Sequence, residues 1–505
     1  MKKIFLVAVV CSAFSTLAQN DLDMLRYARS SVGGSARFTA MGGAFGAVGA
    51  DMSVANYNPA GLALYRKSDL NFGFGLKVES NTTNLQQSNL LSSNGNLVFT
   101  NFGLSGCWKA VNPDNRHIIA FSNVQSQNFN NRIVMSGRSL GSSITNDFLN
   151  LAEGQTLNNL SNSYEGLAYD TFLMDYDSVG QKYFTFVDPN RSVLQTRTLE
   201  KTGRVNDLNF SYAYSHQDKF YLGLSLGLPQ VNFSSSSSHE EVDDRDSMRI
   251  TMTGPSTFTS TYSEELPLVY SSRLGFNSLV YKEYFKTTGS GINLKIGGIY
   301  RVNDQFRIGA YYHTPTVLSL TDQYETTMSV SFDKNKGKPE TLSYPENGGV
   351  YKYSISTPSR LSFNVAYLFG KKAVFALDYE KVNYSKGSLS GTTASEFSTV
   401  NSTIEKVYQS GHNLRAGLEC NLNRFKLRAG YVMNGNPYGK VFSGNLVRNT
   451  ISLGAGVQNP SGLYLDFCYA LTVTEEQYYL FSTLDTHSRI LNRKTLLSGT
   501  VGFKF

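Results

Sequence analysis

Leu497-Ser498-Gly499-Thr500-Val501-Gly502-Phe503-Lys504-Phe505 is the stretch on which the fold turns. Leu497, Gly499, Val501, Phe503 and Phe505 share one parity, and Ser498, Thr500, Gly502 and Lys504 share the other. An apolar residue at every second position, ending on an aromatic, is how the closing strand of an outer-membrane barrel reads, because the lipid face must be apolar while the lumen face can be wet. One such segment also fits an ordinary amphipathic strand. Recurrence decides between them.

The pattern recurs along the whole chain. Leu70, Phe72, Phe74, Leu76 and Val78 alternate with Asn71, Gly73, Gly75, Lys77 and Glu79. Phe220 to Leu228, Leu361 to Phe369, Phe425 to Met433 and Ile451 to Val457 repeat it, always with period two and never 3.6. About fourteen candidate strands result, an even number as this class of barrel requires. Short connections near 110–115, 216–219, 303–305, 370–372, 421–424 and 458–462 carry turn chemistry such as Asn303-Asp304 and Asn459-Pro460-Ser461-Gly462. Between them fall longer ones near 81–96, 131–194, 237–287, 333–349, 391–406, 435–446 and 476–490. A β-sandwich has no reason to sort its loops this way, whereas periplasmic turns and extracellular loops do. The reading is an all-β fold, a transmembrane antiparallel barrel with both termini on the short-turn side and residues 144–175 and 240–285 at the cell surface.

The amino terminus sets the compartment. Lys2 and Lys3 precede an apolar run from Ile4 to Phe14, and Thr16-Leu17-Ala18 is a small-residue cleavage site. Residues 1–18 read as a secretory signal peptide. Cys11 follows Val9-Val10 and does not suit a lipoprotein anchor. Cys107, Cys420 and Cys468 form no disulfide framework and show no metal-ligand spacing. No run of eighteen apolar residues follows the signal, which excludes helical spans. The formal charge of +7 includes the two signal lysines and is too diffuse for a nucleic-acid footprint.

Residues 19–68 do not read as membrane strands. Asp21 to Ser30 fits a short helix, and Gly33 to Asp51 is dense in glycine and alanine, which lets backbone pack closely in a confined space. No Gly-Lys-Ser/Thr follows, so this is not a phosphate loop. With no second domain to join, the segment belongs in the lumen of a barrel formed by residues 69–505. Alternatively, its last turn merely launches the first strand.

The order of signal peptide, Gly/Ala-rich stretch, Ala55-Asn56-Tyr57-Asn58-Pro59-Ala60-Gly61-Leu62-Ala63 and first strand resembles the FadL/TodX family of outer-membrane transporters for long-chain fatty acids and other hydrophobic compounds. The resemblance implies fourteen strands, a small N-terminal hatch plugging the lumen, and an Asn-Pro-Ala motif in that hatch, matched here by Asn58, Pro59 and Ala60. It also implies a monomer in the Gram-negative outer membrane, with membrane lipid, the barrel-assembly machinery and a hydrophobic, fatty-acid-like ligand as partners. In the family a kink in the third strand opens the wall sideways. The third strand here, near 116–130, has no Gly or Pro from which to read a break.

Inward parity places Lys77, Lys295, Arg307, Arg360, Asp378, Glu380, Arg415, Glu419, Lys426, Arg428 and Asp466 on the inner wall. Arg415, Lys426 and Arg428 either neutralise a carboxylate headgroup or form a ladder with Glu419. The loop over 144–175 either collects ligand as an apolar cap or packs on itself and the rim. No Gly-x-Ser-x-Gly elbow occurs, and no residue set points to catalysis, a metal or another cofactor. Two functions remain: passive uptake of hydrophobic molecules, or a barrel that shuttles proteins to the surface.

Overall fold

In the computed structural model, residues 20–505 are described apart from 30, 86–87, 111, 113, 140–141, 179, 189–190, 249–250, 253–256, 260–264, 268–274, 334–338, 394, 440–446 and 485–486. The signal peptide expected over 1–18 and Gln19 lie outside the described residues. Fourteen antiparallel staves close into a barrel. They are β1 Asp69–Leu85, β2 Ser88–Lys109, β3 in two pieces (Arg116–Asn128 and Asn131–Arg138), β4 Leu194–His216 and β5 Phe220–Val242. Next come β6 Phe276–Arg301, β7 (Phe306–His313 and Val317–Phe332), β8 (Glu340–Ser356 and Arg360–Phe369) and β9 (Ala373–Asn383 and Ser388–Ser390). The last are β10 Ser410–Leu422, β11 Phe425–Asn434, β12 Arg448–Gln458, β13 Leu463–Tyr478 and β14 Ser488–Lys504.

Each stave pairs with its sequence neighbour, and β14 returns to β1 from Asp69↔Lys504 to Asn84↔Arg489. Closure removes the sheet edges that a bilayer does not tolerate. The period of two sorts the wall: Phe220, Leu222 and Leu224 face outward, while Tyr221 and Ser225 are buried inside. Aromatics gather on the outer wall near the short turns, where Trp108 stacks on His117 (5.9 Å between centroids) and Phe220 on Tyr300 (4.7 Å). Such girdles mark the membrane interface. Among the described residues no helix is long and apolar enough to cross a membrane.

All six short turns stand at one end, as the sequence predicts. At the other end the expected loops are partly strand. β1 and β2 continue as a ladder to Leu85↔Ser88, so 81–96 is a hairpin, and strand also extends to Val242, from Phe276 and from Glu340. Polar Asn, Ser and Thr alternation outside the bilayer still pairs backbone, although it reads as loop.

The 144–175 segment holds two short helices, Thr145–Ala152 and Glu165–Asp170. Phe148, Leu167 and Leu173 are buried against Phe276, Phe332 and Phe481. The Glu241 carboxylate accepts from Ile144 N (2.8 Å), and Asp147 accepts from Ser482 N (2.7 Å) and Thr483 N (2.8 Å). This cap packs on itself and on the strand tops.

Candidate functional site in the lumen

Residues 20–65 run inside the barrel. Asn20 caps a helix, Asp21–Ala28, by accepting from Leu22 N (3.0 Å). Met24, Leu25 and Tyr27 are buried with Leu318, Leu320, Tyr353 and Ile355 of β7 and β8. Tyr408, beyond β9 toward the cap, donates to Asp21 (2.7 Å). The first described residues therefore sit within the lumen toward the long-loop end. This corrects the expectation that both ends of the folded chain lie at the short-turn face, where only Phe505 pairs with Ser68 (3.0 Å and 3.1 Å). The reason is tertiary: the helix buries an apolar face that bulk water would not accept.

The chain then descends through a short helix at Ala36–Ala40 and two 3-10 turns, Met52–Asn56 and Pro59–Leu64. Asn58 is fully buried and uses both ends of its amide. Its Oδ1 accepts from Ala60 N (3.1 Å), and its Nδ2 donates to the Gly46 carbonyl (2.6 Å). Pro59 opens the second 3-10 turn, where its missing N–H costs nothing. The motif thus knots two hatch strands of irregular backbone together and seats them on the wall.

The wall makes room by glycine. A Cβ on Gly417 would lie 2.5 Å from the Met41 carbonyl oxygen, on Gly103 2.6 Å from Met52 Cβ, and on Gly309 2.7 Å from the Gly46 carbonyl oxygen. Side chains at Gly223, Gly297 and Gly430 would fall on Pro59, Asn58 and Gly42. Wall polar groups finish the seat. Lys295 donates to Asn56 (2.7 Å), His313 Nε2 to the Tyr57 carbonyl (2.6 Å), Gly46 N to Asp378 (2.9 Å) and Ala36 N to Thr500 (2.8 Å).

Arg37 of the hatch grips Glu419 with two nitrogens (3.0 and 3.1 Å). Burial opposes its charge, yet Glu419 together with Asp51 and Asp466 outweighs burial and holds the guanidinium above its ordinary pKa. Arg428 bonds the same Glu419 (2.7 Å) and also Asp466 (2.7 Å). Arg415 is buried against Glu380 (3.0 Å) and Tyr311 (3.2 Å), and Lys426 reaches Gln458 (3.1 Å). Arg415, Lys426 and Arg428 therefore do not converge on a headgroup site. Arg415 stands opposite Val432, four positions along the ladder from Arg428 opposite Glu419, and both guanidiniums serve structural ion pairs.

Space for a ligand lies above the hatch. A cavity of about 300 Å³ is bounded by hatch residues Ser31 to Gly34 and by the inner faces of β1, β11, β12, β13 and β14. Lys77, Lys201, Arg448 and Lys494 line it, with Glu79 and Glu476. Only Lys77 and Glu79 of these form a salt bridge (2.7 Å) among the described residues, which leaves an excess of positive charge facing the space. Sequence reading left out Lys201, Arg448 and Lys494, although each stands past its loop and shares the parity of the buried Asn209, Ser452 and Ser498.

The same cavity abuts a fault in the wall. β2 pairs with β3 only from Lys109↔Arg116 to Asn101↔Val124. Beyond that point the β2 backbone pairs, among the described residues, with β1 alone, and β3 bulges at Gln125/Gln127 and breaks at Phe129-Asn130 while staying paired to β4. Val98 and Thr100 on one side and Gln125, Asn128 and Asn131 on the other line both the gap and the cavity. The third stave is thus broken at Phe129-Asn130 although residues 116–130 carry neither Gly nor Pro. Asparagine does the work: Asn128 Oδ1 accepts from Asn130 N (3.2 Å), Asn130 Oδ1 accepts from Gly203 N (2.8 Å), and Gly203 opposite takes φ +108°. The run Asn128-Phe129-Asn130-Asn131 is a turn signal that could have been read.

The geometry defines a membrane-spanning barrel with an occupied lumen, an inner cavity and an interrupted wall. Among solved structures, a Pseudomonas aeruginosa FadL homologue aligns with a TM-score of 0.54 at 14% identity, covering 94% of this chain and 99% of its own. A deltaS2 mutant of the TodX monoaromatic hydrocarbon channel aligns at 0.51 and 13% identity, with 94% and 99% coverage. At this identity the likeness is one of fold, and the chain has the fold of these channels. No family model matches the chain, and no curated protein matches it.

Proposed function

We propose that this protein is an outer-membrane channel for passive uptake of hydrophobic small molecules that carry an acidic headgroup, long-chain fatty acids being the type case. The observation that carries the reading is the cavity bounded on one side by Lys201, Arg448 and Lys494, which form no salt bridge among the described residues, and on the other by the break between β2 and β3. An apolar chain gains from leaving water for the wall opening, and Lys201, Arg448 and Lys494 compensate its carboxylate. The hatch, residues 19–68, acts as a plug: Arg37, Asn58 and the wall glycines hold it on many points, so the ligand's route passes the gap in the wall and not the constriction below. The neighbours of known structure are described as a FadL homologue and as hydrocarbon channels, which agrees with a hydrophobic cargo. The chain acts as a monomer inserted by the barrel-assembly machinery.

A protein-shuttle role would need apolar outer loops free to bind a partner, whereas Phe148, Leu160, Leu167 and Leu173 of the cap are buried. The test is uptake of radiolabelled oleate by cells whose own fatty-acid channel is deleted. Expression of this protein should restore uptake. Uptake at the empty-vector level, with folded barrel present in the outer membrane, would overturn the proposal.

A further inference from the structure

A broken stave leaves a row of backbone carbonyls without the strand that should bond them. On β3 these are the carbonyls of residues 126, 128, 130, 132 and 134, because the odd-numbered positions face β4, as the bond from Phe129 N to the Gly203 carbonyl (2.9 Å) shows. Each of the five accepts a side-chain donor instead. Ser31 Oγ bonds the Ser126 carbonyl (2.7 Å), and Lys77 Nζ bonds those of Asn128 (3.3 Å) and Asn130 (2.9 Å). Asn81 Nδ2 (2.8 Å) and Ser92 Oγ (2.9 Å) share Arg132, and Thr83 Oγ1 bonds Val134 (2.8 Å). Lys77, Asn81 and Thr83 lie on the inner face of β1, and Ser92 stands opposite Asn81 on β2. The upper piece of β3 is therefore drawn over the inner face of the β1–β2 hairpin and does not lie beside β2.

The edge that β2 keeps is bare. From Ser88 to Thr100 its backbone pairs with β1 and, among the described residues, with no other strand, and Leu97 is 89% exposed. The nine β2 residues from Asn101 to Lys109 rise roughly 20 Å when tilted by about 40°, so the bare edge begins near the outer boundary of the apolar band. An unbonded edge is costly in hydrocarbon and survives where it meets a polar cavity. The β3 carbonyls and the β2 edge would satisfy each other if they met. Something must keep them apart.

We propose that Ser31, Lys77, Asn81, Thr83 and Ser92 form a polar strap that replaces the missing β2–β3 ladder and holds the wall as a standing opening, with Lys77 as the main positioning residue. The strap's use as a ligand route rests on the transport reading above, but its existence does not. One strap residue, Ser31, belongs to the hatch, so the plug and the opening are built as one unit.

Hydrogen–deuterium exchange on the folded barrel in lipid nanodiscs tests this without any ligand. In the unaltered protein, amides of 88–100 that face away from β1 should exchange freely, while 101–109 are protected. In Lys77→Met/Asn81→Leu, β3 should close onto β2, and exchange over 90–100 should slow about tenfold or more. Lys77→Arg keeps the donors and should leave exchange as in the unaltered protein. Unchanged exchange in the double variant, or the same slowing in Lys77→Arg, would overturn the strap. If the double variant does not assemble, Thr83→Val and Ser92→Ala each release one bond, and slowing must appear there to a smaller degree; none would equally refute the idea. Oleate uptake on the same variants separates the two claims. Slowed exchange with unchanged uptake leaves the strap standing and removes the opening as the route.

Discussion

The lower and upper halves of the lumen are built on opposite terms. Below, hatch and wall are in backbone contact: glycines remove the side chains between them, and Arg37, Glu419, Arg428 and Asp466 form a closed chain of ion pairs. Above, long polar side chains leave a cavity of about 300 Å³, and three of its four cations have no carboxylate in salt-bridge reach among the described residues. Paired, dry charge makes a seat, because removing either partner strands the other. Unpaired charge beside a void makes a site. On the proposed reading the lower half is structure and the upper half receives the ligand.

Deleting residues 20–50 should produce the largest effect. If the lower half is a seat for a plug, single-channel conductance in planar bilayers should rise about tenfold or more as the lumen fills with water. Unchanged low conductance would break the contrast at its root. Next comes Glu419→Ala, which leaves Arg37 and Arg428 buried without their shared partner. It should destabilise the barrel by about 3–5 kcal/mol in denaturant titration of the lipid-embedded protein. A loss under ~1 kcal/mol would mean that water reaches these charges and that the lower half is not dry.

Asn58→Ala should cost about 0.5–2 kcal/mol, the range for a lost cap, while Asn58→Asp keeps the acceptor for Ala60 N and should lose less. Equal losses in the two variants would assign the effect to the bond donated to Gly46. The smallest stability change belongs to the cavity: Arg448→Met/Lys494→Met should stay within about 0.5 kcal/mol of the parent. Its signature is selectivity. Oleate uptake should fall about fivefold while uptake of the neutral alcohol of equal chain length holds, since only the acid uses the cations. A parallel fall in both would make the cavity lining a matter of shape and not of charge.

The barrel was legible in the chain because a wall with lipid outside and polar groups inside imposes a period of two, which holds along each strand between bulges. Alternation at Phe220 to Leu228 and Leu497 to Phe505 therefore gave strand, face and count directly. The turn ends were legible for the same reason, through Asn303-Asp304 and Asn459-Pro460. Asn58-Pro59-Ala60 was legible as a turn, since its chemistry is local. What parity cannot state is who meets whom across the lumen. That Arg415 and Arg428 are consumed by Glu380 and Glu419, and that Lys494 and Arg448 form no salt bridge among the described residues, depends on which staves close around which part of the hatch. The break in β3 is likewise a bargain between distant segments, with Asn128 and Asn130 turning the strand while Lys77, Asn81 and Ser31 receive it. Local propensity sets the strands; long-range hydrogen bonding, available only once the barrel has closed, sets the site.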